Sequence, residues 1–222
     1  MNRPLPTHSA DSTRSRRPIS PEALALRRLA RDGVDLVSWP RSLPPGLGAH
    51  LAAWARGEPR YFDEIVSPRA YDLSPATEGI AEPARAWITA DVAMLVARLA
   101  QVADARRVRV SFGVVRTDQC RKFHVDFVRY RLVTTYVGPG TEWLPESAVS
   151  REALQHPADC PCDANREIVR DAAAVRHAGV GEVILMKGAL HPGSPGAVHR
   201  SPPIEASGRS RVVLIASTAE AP

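Results

Sequence analysis

CRKFHVDFVRYRLVTTYVGPGTEW, residues 120–143, is the stretch on which the fold turns. It gathers Phe123, Phe127, Tyr130, Tyr136 and Trp143 within one short span of a chain otherwise poor in aromatics. An extended KFHVDF puts Phe123, Val125 and Phe127 on one face. The same alternation sends His124 and Asp126 to the other face, about 7 Å apart at Cα. A neutral imidazole and a carboxylate so placed can share a metal ion. With one more imidazole they make the 2-His-1-carboxylate triad, which leaves coordination positions open and suits non-heme Fe(II).

His-x-Asp is short enough to arise by chance, so its surroundings decide its worth. His199 stands in AVHRSPP, 73 residues beyond Asp126, where a later strand can return it across the mouth of a barrel. The strand RVVLIAS follows, beginning at Arg211, with Arg209 just before it. Either arginine has the planar fork that clamps a carboxylate. Thr134 and Tyr136 share a face of YRLVTTYV and offer hydroxyls to the same acid. The GPG turn at 138–140 gives backbone freedom beside the site, and Glu142 and Trp143 are placed on its rim. Lys187, at the end of the apolar run VILM, either faces the pocket or snorkels outward. Arg200, beside His199, is expected on the opposite face in a structural ion pair.

Outward from this stretch the period is two. RRVRVSFGVV (106–115) aligns Val108, Val110, Phe112 and Val114. Further candidate strands are KFHVDF, YRLVTTYV, REIVRDAAAV, GEVILMK, AVHR and RVVLIAS, divided by Gly- and Pro-bearing turns such as HPGSPG. Short strands at this spacing predict a double-stranded β-helix of the jelly-roll or cupin-like kind, within an α+β chain. Residues 106–222 would form that core. Residues 21–105 read as mainly helical, because PEALALRRLARDG opens on Pro and closes on Gly, and AEPARAWITADVAMLVARLAQVADA repeats apolar residues at helical spacing. VDLVSWP between them is a candidate short strand, and the helical segment would pack outside the barrel. Residues 1–20, rich in Pro, Ser and Arg, read as a disordered tail.

Composition narrows the class. Hydrophobic residues at 44% and charged residues at 24% argue against a disordered or fibrous chain. No uninterrupted apolar run reaches the length of a bilayer crossing and the N-terminus has no secretory core, so a cytoplasmic protein without membrane partners is expected. The net charge of +5 is arginine scattered along the chain, not a basic block, which disfavours nucleic acid as a partner. Lys122 and Lys187 are the only lysines, and each falls in a segment singled out above. Cys120, Cys160 and Cys162 make an odd count unlike a disulfide framework. His156, Cys160 and Cys162 are a second candidate metal set, for zinc, although the cysteine spacing is tighter than structural zinc sites favour.

The motifs CRKFHVD, RLVTTYVGPGTEW, VILMKG and VHRSPP resemble the bacterial domain-of-unknown-function family 1826 along nearly the whole chain. More distantly, HVD followed by RLVTTYVGPGTEW is similar to the prolyl 4-hydroxylase branch of the 2-oxoglutarate oxygenases. That resemblance covers about 25 residues. It implies His124, Asp126 and His199 as iron ligands, Arg209 or Arg211 as the oxo-acid clamp, and Tyr136 as its hydroxyl partner. Pro139 departs from the paired glycines of that branch. The implied function is a mononuclear Fe(II)/2-oxoglutarate-type oxygenase of unknown substrate. The alternatives are a non-catalytic zinc-binding or metal-homeostasis protein on the same barrel, and a barrel that works through a protein partner.

Overall fold

The computed structural model describes residues 20–219, so the expected tail lies, but for Ser20, outside the described residues. In chain order the elements are α1 (Pro21–Leu29), β1 (Leu36–Trp39), α2 (Leu47–Trp54), β2 (Phe62–Val66), α3 (Ser74–Thr77), α4 (Ala84–Ala103), β3 (Val108–Val115) and β4 (Tyr130–Val137). There follow β5 (Glu142–Trp143), α5 (Arg151–Gln155), α6 (Pro161–Ile168), β6 (Arg176–His177), β7 (Val183–Lys187), β8 (His199–Arg200) and β9 (Arg211–Thr218).

Local chemistry accounts for the helices. Ser20 caps α1 by accepting from the Ala23 N–H, Pro21 opens the first turn, and Arg27 and Arg28 sit near its negative end. In α4, Ile88, Val92, Leu95, Val96 and Leu99 recur at intervals of three and four, and none is more than 1% exposed. Burying each contributes about 1.5–3 kcal/mol. The helix has the length and hydropathy of a membrane span, but its apolar stripe packs on β3, β4 and β9.

The fold is mixed α/β, with two antiparallel sheets. The larger has six strands in the order β1-β7-β4-β9-β3-β2, and the smaller has the order β6-β5-β8. His124 bridges His199 outside the named strands, so the chain at 124 lies along the open edge of the smaller sheet. Both edges of the larger sheet, β1 and β2, come from the segment read as mainly helical. β2 hides in the sequence because only Phe62 and Val66 of its five residues are buried, which is not an alternation.

Strand parity distributes the core. Val212, Leu214 and Ala216 of β9 join Leu132 and Tyr136 of β4 against the helices. Val213, with Val133, Ile184, Met186 and Ala197, fills the space between the sheets. Val198, Phe123, Ala164 and Ile168 form a third cluster beyond the smaller sheet.

Two expectations require correction. REIVRDAAAV is not a strand: its first residues complete α6, where Pro161 opens the helix and Ala164 and Ile168, four apart, are fully buried. KFHVDF is extended only through the single bridge at His124, and the chain bends after Asp126, so Phe127 is 79% exposed while Phe123 is buried.

Candidate metal centre

The bridge between His124 and His199 closes the site. The two histidines exchange backbone hydrogen bonds of 3.0 Å in each direction, which brings their rings to 4.6 Å between centroids. Asp126, two residues on, completes a group whose ligand atoms all lie within 4.8 Å of one another. It is the one such group among the described residues. His199 Nε2 is 3.0 Å from Asp126 Oδ2, and His124 Nε2 is 3.5 Å from Oδ1.

Hydrogen bonds behind the rings set their orientation. His124 Nδ1 donates to the Lys122 carbonyl at 2.8 Å and His199 Nδ1 to the Ala197 carbonyl at 3.2 Å. A carbonyl only accepts, so the proton of each neutral ring sits on Nδ1 and the Nε2 lone pair points inward. Asp126 Oδ2 is buried and receives no hydrogen bond in that state. Three electron-pair donors therefore converge on a small space that calls for a cation. That is a donor set of two imidazoles and one carboxylate, and it fits a divalent transition metal.

Arg131 was not singled out in the sequence, yet it meets the site directly. Its Nη1 donates to Asp126 Oδ1 at 2.6 Å, and its Nε donates to Ser217 Oγ at 3.0 Å. When the rings also carry a proton on Nε2, as they do in acid without a metal, burial pushes the Asp126 carboxyl up, but hydrogen bonding with His124 and His199 and the charges of His199 and Arg131 outweigh it. The carboxyl is held well below the usual range.

The parity of β4 reverses the expected cosubstrate contacts. Tyr136 is fully buried on the helix side, where its hydroxyl donates to Asp91 Oδ2 at 2.7 Å, and Asp91 also holds Arg41 at 2.5 Å. Burial first, then the Asp91 charge, raises the phenol well above its ordinary value. Tyr136 is thus a core residue, not a partner of Arg211. Thr134 is buried on the same side, with no hydrogen bond to its hydroxyl. Thr135, of opposite parity, accepts from Arg211 Nη2 at 3.1 Å, and Thr141 Oγ1 lies 3.4 Å from the same nitrogen.

Arg211 is 3% exposed, its Nε has no partner, and no carboxylate of the described residues lies within ion-pair distance. Burial pulls its pKa down to about 10, against the opposing influence of Tyr61 and Glu142. Arg209 is exposed in the preceding loop. Gly138 makes room beside Arg211: it has φ +85°, and a Cβ there would come within 2.3 Å of the Ser210 carbonyl oxygen. Lys187 is buried but donates to the Arg31 carbonyl at 3.3 Å, on the helix side of β7, away from the metal ligands. Glu142 is also buried, in an ion pair of 2.5 Å with Arg200, and so does not line a rim. Arg200 stacks over Phe123 with its guanidinium carbon 4.5 Å from the ring centroid, as a structural residue should. Cys160, Cys162 and His156 are exposed and do not gather into a ligand group.

The family model described as "Protein of unknown function (DUF1826)" matches residues 20–216. Among curated proteins, none matches the chain. Among solved structures the chain is similar to a Pseudomonas putida prolyl-4-hydroxylase at 15% identity and a TM-score of 0.44, over 90% of this chain and 98% of that one. It is similar to AviO1 from Streptomyces viridochromogenes Tue57 at 15% identity and 0.42, over 92% and 97%. It is similar to EvdMO1 at 14% identity and 0.42, over 91% of this chain and 51% of that one.

Proposed function

We propose that this chain, which belongs to the DUF1826 family, is a mononuclear metal-dependent oxygenase of the Fe(II)/2-oxoglutarate type built on a double-stranded β-helix. The observation that carries the reading is the convergence of His124 Nε2, His199 Nε2 and the orphaned Asp126 Oδ2, each ring locked from behind by a carbonyl. The barrel is supported by the path of the chain. From β3 it crosses to the bridge at His124, returns to β4, passes through β5 and β6, returns to β7, crosses to β8 and ends in β9. That alternation between two sheets is the path a jelly roll would require, and it supports the reading.

His124, Asp126 and His199 would hold Fe(II), and Arg211 would pair with the far carboxylate of the 2-oxo acid. Iron so bound supplies the activation of dioxygen that no amino-acid side chain provides. The protein's own part is placement. Arg131 holds one oxygen of Asp126 and leaves the other for the metal, while Val133, Met186 and Val213 keep the space between the sheets dry. A buried guanidinium without a counter-ion is costly to keep and gains from an incoming carboxylate. Thr135 and Thr141 already orient that guanidinium.

The same donor set suits zinc, so a non-catalytic zinc-binding or metal-homeostasis protein is the second reading. Anaerobic purification with metal analysis, followed by Fe(II) and 2-oxoglutarate titration, separates the two. An oxygenase takes up Fe(II), binds 2-oxoglutarate only when metal is present, and loses both in His199→Ala. Zinc retention with no response to 2-oxoglutarate selects the second reading.

A further inference from the structure

Beside His124 runs a cleft of about 550 Å³, walled by the 122–125 segment, α5 and the loop before β8. That volume falls within the range of small-molecule sites. Val125, Leu154, Pro157 and Pro195 give it an apolar wall, and His124 is the one of the three candidate ligands that lines it. Two cations line it, Lys122 and Arg151, and no carboxylate does. Arg151 is already spent. It makes a forked pair with Glu146 and donates to the Pro195 and Gly196 carbonyls, tying α5 to the loop that leads into β8. Lys122 forms no ion pair among the described residues.

We propose that this cleft binds the substrate, a small organic anion whose charged group pairs with Lys122 and whose apolar body lies along Val125, Leu154 and Pro195 toward His124. Complementarity of charge selects this occupant: the one uncompensated charge on the cleft is positive, and the rest of the wall is apolar. Lys122 suits the part because its two roles separate. Its carbonyl orients His124, and its side chain is free to read the ligand, so changing the side chain leaves the metal ligand in place. The proposal depends on the metal reading only for the identity of the reacting end.

The test is a ligand-observed NMR titration of the full chain with 4-phenylbutanoate and the near-isosteric 4-phenylbutanamide. The wild type is expected to favour the carboxylate by at least about fivefold, the order of one charged contact at a partly exposed site. In Lys122→Gln the preference falls to about unity, and in Lys122→Glu it reverses. A preference kept in Lys122→Gln, or no binding of the carboxylate to the wild type, overturns the proposal. Added Mn(II), which broadens the resonances of nearby protons, distinguishes its failure from that of the metal reading. Broadening of the bound probe that disappears in His199→Ala supports both. A Lys122-dependent preference without broadening retains the anion cleft and sinks the metal centre.

Discussion

Arg131 and Asp126 form an ion pair of 2.6 Å on the carboxylate oxygen that faces away from His199. The guanidinium is itself anchored on Ser217 of β9, so the larger sheet and the metal segment are joined through one side chain. The consequence is a carboxylate with one oxygen occupied and one oriented for a metal.

Arg131→Met should therefore weaken metal binding without removing a ligand. Loss of such a supporting contact typically costs about 10- to 100-fold in affinity. Ser217→Ala, which loosens the arginine but leaves its charge, should cost less. Isothermal titration with Mn(II) or Zn(II) measures both. The metal-free Arg131→Met protein should also be less stable by on the order of 3 kcal/mol, since a nearly buried carboxylate loses its counter-ion. Saturating metal should restore much of that loss. Unchanged affinity would show that the pair is only structural.

Much of this arrangement was legible from alternation alone. β3, β4, β7 and β9 occupy the stretches read as strands, and His124, Asp126 and His199 come together as the spacing allowed. What the alternation cannot convey is which face of β4 looks toward the smaller sheet. The larger sheet is covered on both sides, by helices and by the second sheet, so apolar residues fall on either parity. The alternation thus offers Tyr136 and Thr134 as hydroxyls for an oxo acid held by Arg209 or Arg211, whereas Thr135 and Arg131 hold the inward positions. REIV was ambiguous for a related reason. A short apolar run fits a strand or one buried turn of helix, and Pro161 with Ala164 decides for the helix.

Asp126 also sets the acid limit of the centre. Its pKa is depressed in the fold, so its contribution to stability is present above the ordinary aspartate value of about 3.9 and is lost as pH falls through the lower, folded value. Asp126→Asn should be less stable than the wild type at neutral pH. The difference should hold down to about pH 4 and narrow below it. Urea unfolding of the metal-free proteins at stepped pH provides the comparison. A gap that closes between pH 7 and 5 would contradict the depressed carboxyl.

Arg211 and Arg209 separate by burial. Arg211 pays for desolvation with a pKa pulled down to about 10, and an anion placed against it relieves that cost. In the presence of Mn(II), 2-oxoglutarate should raise the melting temperature of the wild type and of Arg209→Gln alike. Arg211→Gln should lose the shift, and because it also removes a buried unpaired charge it should fold at least as well as the wild type. If Arg209→Gln loses the response instead, the buried guanidinium is not the clamp.

Tyr136 supplies the converse experiment, since it lies in the core one sheet face away from the ligands. Tyr136→Phe deletes the hydroxyl that Asp91 Oδ2 accepts from, while Arg41 keeps its hold on Oδ1. An under-satisfied buried carboxylate of this kind costs about 1–3 kcal/mol. Chemical denaturation should register that loss, and the edge-on packing of Tyr136 against Trp87 and Phe112 should survive in the phenylalanine. Mn(II) affinity and the 2-oxoglutarate shift should match those of the wild type. A variant of normal stability that fails to respond to 2-oxoglutarate would return Tyr136 to the site and reverse the assignment of faces on β4.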